Sequence, residues 1–164
     1  IQEFPKAKYQ YPEIFEYFKE QTDYLKKYIS EELPKGIVHG DCFADNTIFN
    51  GDKLKAIIDF EEFCYETLIY DLGMTINGFC FKDNNLQNDL MLSLKHEYEC
   101  LRKLTDKENE LLPYYIQWAA HGMLYWHLRN NMLYTLNPTQ VERVRELMNR
   151  VKNLRKININ KNNR

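Results

Sequence analysis

The chain has 164 residues, 44% hydrophobic and 14% aromatic, with a formal net charge of −2 at pH 7. That length fits one domain, able to bury roughly 70% of the surface its unfolded chain exposes. The balanced charge argues against a nucleic-acid or membrane-surface partner, and no apolar run approaches the roughly 20 residues that span a bilayer.

Residues 13–33 read as an amphipathic helix, with Ile14, Phe15, Phe18, Leu25, Ile29 and Leu33 on one face. The run Leu33-Pro34-Lys35-Gly36 ends it. A short strand at 36–38 leads into a loop, and a second strand at 47–49 leaves that loop. Asn50-Gly51 is a turn signal, since both residues tolerate positive φ. A third strand, 54–58, returns to Asp59. Such a hairpin carries Asn46 at one end and brings Asp59 back to the same end. Residues 68–81 predict a helix with Asp71 in its first turn. Residues 86–104 predict another, with Leu90, Leu94, Tyr98 and Leu101 spaced for a core face. Thr105-Asp106-Lys107-Glu108 has the form of a capping box. Pro113 is expected to start a long helix running to about Tyr134. Asn137 and Pro138 read as N-cap and first residue of a last helix ending near Ile157. The Asn/Lys-rich tail from Asn158 is expected to fray. No repeat or internal boundary divides the sequence.

The chemistry concentrates in residues 37–60. His39, Asp41 and Asn46 share one loop, and Asp59 ends the next apolar run. Two acids and an amide on adjacent strand ends can place a divalent metal beside a proton acceptor, as phosphoryl transfer to a hydroxyl requires. Mg²⁺ takes hard oxygen ligands, usually one or two carboxylates plus phosphates and water. Asp59 suits as the carboxylate and Asn46 as a carbonyl oxygen. Asp41 is then free to accept the hydroxyl proton. Residues 39–71 hold eight acids and two lysines, a net charge of −6. Acids of this set that converge in a cleft need a cation to stay ionised.

Other residues read more plainly. His39 is expected to be structural, because Asp41 already fills the base role. Asp45 reads mainly as a turn acid. His121 and His127 stand six apart, not the i, i+4 spacing of a metal pair. Trp118, Tyr125 and Trp126 read as core. The basic residues of the last helix, Arg143 to Lys156, read as a solvated face. Cys42, Cys64, Cys80 and Cys100 form no C-x-x-C pair, the usage of reduced thiols in a cytoplasmic protein.

The spacing His39-x-Asp41-x-x-x-x-Asn46, followed by Ile57-Ile58-Asp59-Phe60, resembles the aminoglycoside phosphotransferase and choline kinase group of the protein-kinase-like superfamily. Within that group the chain is similar to the homoserine kinases. The run from His39 to Phe49 resembles their His-(Ala/Gly)-Asp-Leu-Phe-x-Asp-Asn-Val-Leu-Phe. The run from Tyr70 to Cys80 resembles their Tyr-Asp-Leu-Ala-x-x-x-Asn-Ala-Trp-Cys. The segment from Leu104 to Pro113, and Tyr125-Trp126-His127-Leu128-Arg129, resemble their downstream helices. The resemblance implies an α+β, mainly helical fold: the C-terminal lobe of a protein-kinase-like enzyme with a small catalytic-loop hairpin, residues 1–164 forming that single lobe. It implies an ATP-dependent kinase acting on L-homoserine with Mg²⁺. An aminoglycoside or a choline- or ethanolamine-type substrate is the alternative within the fold. A non-catalytic binding module derived from a kinase lobe is the alternative outside it.

Carried over by position, Asp41 matches the catalytic base, and Asn46 and Asp59 match the metal ligands. His39 matches a buried residue that braces the loop, and Asp71 an acid that hydrogen-bonds back to it. Arg129 matches an arginine with a possible role toward the substrate carboxylate; Asp45 is a second candidate substrate contact. Cys42 departs from the usual Leu. Glu61 and Glu62 stand where apolar or aromatic residues are commoner. The six glycines form neither a Gly-x-Gly-x-x-Gly nor a Walker loop. In the resembling family a smaller N-terminal lobe supplies the phosphate loop and a strand lysine, so this chain is expected to need that lobe as a partner. Titration calorimetry of the chain with Mg-ATP should therefore show no tight binding; micromolar affinity would overturn the expectation.

Overall fold

The computed structural model describes residues 10–130 and 138–162. Helix α1 spans Pro12–Leu25 and opens on a proline, whose missing N–H costs nothing in a first turn. It ends eight residues before the predicted limit. Beyond Leu25 the backbone tightens, with Tyr28 N–H donating to the Leu25 carbonyl at 2.9 Å. The Tyr115 hydroxyl then takes both backbone groups of Ser30, at 3.2 and 3.4 Å. A tertiary partner thus replaces the helical one, while Leu33 still reaches the core.

Strands β1 (Lys35–Val38), β2 (Thr47–Asn50), β3 (Lys53–Ile57) and β4 (Cys64–Thr67) follow. β2 and β3 form the expected antiparallel hairpin, Thr47 opposite Ile57. Its connecting residues are Gly51 and Asp52, one position later than the sequence suggested, with Gly51 at φ 59°. β1 pairs instead with β4, from Lys35 opposite Thr67 to Val38 opposite Cys64. β4 runs without a break into helix α2 (Leu68–Phe79), so no turn signal marks it. A third small pair joins β5 (Phe81–Lys82) to β6 (Asn85–Leu86) through Asp83 and Asn84, both at positive φ. β6 takes the first residue of the predicted helix 86–104, which becomes α3 (Asn88–Leu101).

Helix α4 (Asp106–Leu128) starts at the predicted capping box, Thr105 accepting from Glu108 N–H at 3.1 Å. Pro113 therefore lies inside this helix rather than at the start of another. Burial of Leu111, Leu112, Tyr114 and Tyr115 around it offsets the lost backbone bond. The expected limit near Tyr134 and the Asn137 cap lie outside the described residues. Helix α5 starts at Pro138 and continues to Asn162, past the expected end.

α4 is the central helix. Tyr115, Ile116 and Ala120 pack with Leu25 of α1, Ile69 and Ile76 of α2, and Val151 of α5. Farther along, Leu124 and Leu128 meet Ile14 and Phe15 of α1 and Val144 and Leu147 of α5. Three expectations about burial fail, the first at Arg150 of the last helix, which is buried at 9% exposed rather than on a solvated face. α3 lies on the outside: Leu94 and Tyr98 pack partly, but Leu90 and Leu101 face solvent. Trp118 packs against the core, whereas Tyr125 and Trp126 are exposed, because Leu124 and Leu128 define the buried stripe there. His121 is buried on Phe18, its Nε2 2.8 Å from the Thr22 hydroxyl.

Glu108 is fully buried. Burial alone would raise its carboxyl. Arg102, at 2.7 and 3.2 Å, and Thr105 N–H, at 2.9 Å, outweigh that and hold it below the ordinary value. A depressed carboxylate contributes stability above its unfolded pKa, about 4.3, and loses it as pH falls through the folded value. Glu108→Gln should cost about 1.5–3 kcal/mol at neutral pH. Urea unfolding at a series of pH values should show that difference shrinking below about pH 4.

Candidate active site

β1 delivers the chain to His39, and the loop turns at once. Gly40 has φ 80°, and a Cβ there would lie 2.7 Å from the Glu62 carbonyl oxygen, so only glycine fits. Its N–H donates to Asp71 Oδ1 at 2.9 Å, from the first turn of α2. His39 Nδ1 accepts from Asp41 N–H at 3.2 Å, and Nε2 donates to the Ile58 carbonyl at 2.9 Å. Both ring nitrogens are therefore engaged with backbone, and the imidazole braces the loop rather than standing ready as a base. Its ring packs on Phe60 at 4.6 Å.

A 3₁₀ turn, Ala44–Asn46, closes the loop. Asn46 is buried and tied to the hairpin end, its backbone carbonyl accepting from Ile58 N–H at 3.0 Å. Its Nδ2 donates twice to Asp41, to the backbone carbonyl and to Oδ2, both at 2.9 Å. Those partners are acceptors, so the amide nitrogen must face them and the carbonyl oxygen Oδ1 is turned elsewhere. Asp41 is half-buried, and burial raises its carboxyl above the ordinary range. The Asn46 hydrogen bond opposes that rise, and the nearby Asp45 charge adds to it.

Asp59 follows β3 in the left-handed region, φ 64° and ψ 63°, uncommon for a side chain with a Cβ. Among the described residues no hydrogen bond engages its carboxylate or Asn46 Oδ1. Two hard oxygen groups are thus left uncommitted on neighbouring backbone ends, a donor set that suits Mg²⁺. No three His, Cys, Asp or Glu side chains among the described residues are grouped to hold a metal alone. A divalent cation here would need further oxygens from a ligand or water, which is the habit of Mg²⁺ rather than Zn²⁺.

The loop and its supports bring His39, Asp41, Asn46, Asp59 and Asp71 together. Asp45 is exposed in the 3₁₀ turn. Arg129 is the exposed C-cap of α4. Glu61 and Glu62 are exposed in the short turn after Asp59, though the Glu62 carbonyl packs on Gly40. Sequence reasoning missed the backbone of Ile58 as the common anchor of His39 and Asn46. It also missed Gly78, where a Cβ would lie 2.9 Å from the Cys42 carbonyl oxygen. The only sequence signal for either was its place inside a motif. Beside the loop, an open cavity of about 370 Å³ is lined by Ile37, Val38, His39, Phe60 and Phe63.

Comparison with known proteins places the sequence in a family. The sequence profile of the phosphotransferase enzyme family matches residues 3–104. A homoserine kinase of Methylobacillus flagellatus is 32% identical over 70% of the chain and 35% of its own length. One from Sinorhizobium fredii is 40% identical over 55% and 28%, and one from Rhodopseudomonas palustris 33% identical over 71% and 36%. The chain thus spans about a third of the length of these curated relatives. A family profile covering most of the chain, on the residues that build this loop, shows that the chain belongs to the phosphotransferase enzyme family.

Proposed function

We propose that the protein carrying this chain transfers the γ-phosphoryl group of ATP to the hydroxyl of L-homoserine, giving O-phosphohomoserine and ADP. The observation that carries the reading is the Asp41 carboxylate, half-buried and held at 2.9 Å by Asn46, with Asp59 on the adjoining strand end. The relatives named homoserine kinase supply the substrate.

The substrate hydroxyl oxygen attacks the γ-phosphorus as its proton passes to Asp41. The bond from γ-phosphorus to the bridging oxygen breaks, and ADP leaves with that electron pair. Asn46 fixes the carboxylate so that one orientation meets the incoming alcohol. His39 and Asp71 hold the loop backbone. Asn46 Oδ1 and Asp59 would hold Mg²⁺, which when bound offsets negative charge on the phosphate oxygens. Arg129 is our candidate for the substrate carboxylate and Asp45 for its ammonium group. The nucleotide-binding lobe would pack on the exposed apolar face of Ile37, Phe49, Leu54, Phe60 and Phe63. The unpaired thiols of Cys42, Cys64, Cys80 and Cys100 fit a cytoplasmic setting.

Glu61 and Glu62, exposed beside Asp59, favour one rival: a cationic acceptor such as an aminoglycoside or choline. A substrate panel read by coupled ADP release separates the two. L-Homoserine should give the highest kcat/KM, and preferential turnover of an aminoglycoside or choline would overturn the assignment. In the whole protein, Asp41→Ala should lower kcat about 10²–10⁴-fold with KM little changed. Normal turnover by that variant would remove Asp41 from the mechanism.

A further inference from the structure

Arg150 is a charge placed where charges are costly. It projects from α5 into the interior and is only 9% exposed, yet no carboxylate pairs with it among the described residues. Burial, and then the nearby Arg143 charge, lower its pKa to about 10. A cation in that position needs oriented dipoles in place of a counter-ion.

Three groups meet it. The Phe81 ring of β5 lies 4.4 Å from the guanidinium carbon. Nε donates to Asn84 Oδ1 at 3.1 Å, in the left-handed turn between β5 and β6. Nη1 donates to the Asn77 carbonyl at 3.2 Å. That carbonyl belongs to the last turn of α2, the negative end of the helix, where a cation is favoured. The Asn77 amide is itself fixed, donating at 2.9 Å to the Gly73 and Ile116 carbonyls.

α2 touches the catalytic loop at both of its ends. Its first turn presents Asp71 to Gly40 N–H. Its last turn presents Gly78, the residue after the Arg150-bound carbonyl, to Cys42 and Phe43, so closely that a Cβ would lie within 3.0 Å of both. Asp41 sits between these two supports. Resting on the kinase reading above, we infer that Arg150 is a positioning residue: by pinning the last turn of α2 through Asn77, it holds Gly78 against Cys42–Phe43 and so sets the aim of the Asp41 carboxylate.

The test compares whole wild-type protein with Arg150→Met and Arg150→Lys, below the melting temperature of each. Hydrogen exchange at the amides of residues 40–46 is measured beside steady-state kinetics. Arg150→Met should speed exchange in that loop and lower kcat about 10–100-fold, with both KM values little changed. Arg150→Lys, which keeps a cation for the Asn77 carbonyl, should recover part of both effects. A folded Arg150→Met protein with wild-type kcat and wild-type loop exchange would overturn the inference. So would a selective rise in the homoserine KM at constant kcat, which would mark direct substrate contact. Should the wild-type protein phosphorylate no homoserine, the kinase reading falls, while loop exchange still decides the Arg150 link because it needs no substrate. Should a Met variant not fold, Arg150→Lys and Arg150→Gln carry the same comparison, and unchanged loop exchange in both would overturn it.

Discussion

A reactive carboxylate on a loop is useful only if the loop backbone is held still. Here that constraint is met by three hydrogen bonds: Gly40 N–H donates to Asp71 Oδ1, His39 Nε2 donates to the Ile58 carbonyl, and Ile58 N–H donates to the Asn46 backbone carbonyl. One bond ties the loop to α2 and two tie it to Ile58 at the end of the hairpin, so the loop cannot shift without breaking contacts in one or the other. Asn46 then completes the arrangement by gripping both the backbone and the side chain of Asp41. Pre-organisation of this kind matters because phosphoryl transfer leaves the protein mainly positioning and charge to supply.

The same geometry explains how so many acids coexist. Burial and a neighbouring acid raise the Asp41 carboxyl, while the Asn46 amide favours its ionised form. Glu61 and Glu62 escape the problem by facing solvent. Asp59 is the acid held in a left-handed backbone position beside an uncommitted amide oxygen. The local charge is tolerable because only part of the cluster is withdrawn from water.

The helices carry this site rather than merely accompany it. α4 supplies the core on which α1, α2 and α5 pack. α2 is buried along Ile69, Leu72 and Ile76, which makes it rigid enough to serve as the loop's backing. Its N-terminal turn meets the loop through a carboxylate, and its C-terminal turn meets it through the bare backbone of Gly78. Most of the exposed large apolar residues lie between Ile37 and Tyr65, on the strands and turns beside the loop, where the helical core does not reach.

Local chemistry was readable wherever the signal and its partner lie close in sequence. The capping box at Thr105 and Glu108, the hairpin between Asn46 and Asp59, and the helix carrying Asp71 all follow from contacts within a few residues. The loop spacing from His39 to Asn46, with Asp59 beyond it, was also enough to nominate the chemistry. Tertiary structure alone decided the pairing of β1 with β4, the early end of α1 at the Tyr115 hydroxyl, and the outward position of Leu90, Leu101 and Trp126. It alone gave His39 two backbone partners and put Arg150 at the end of α2. The reason is physical: propensity, capping and turn geometry are set by near neighbours, whereas burial and most hydrogen-bond partners are set by which distant segments the packed core brings together.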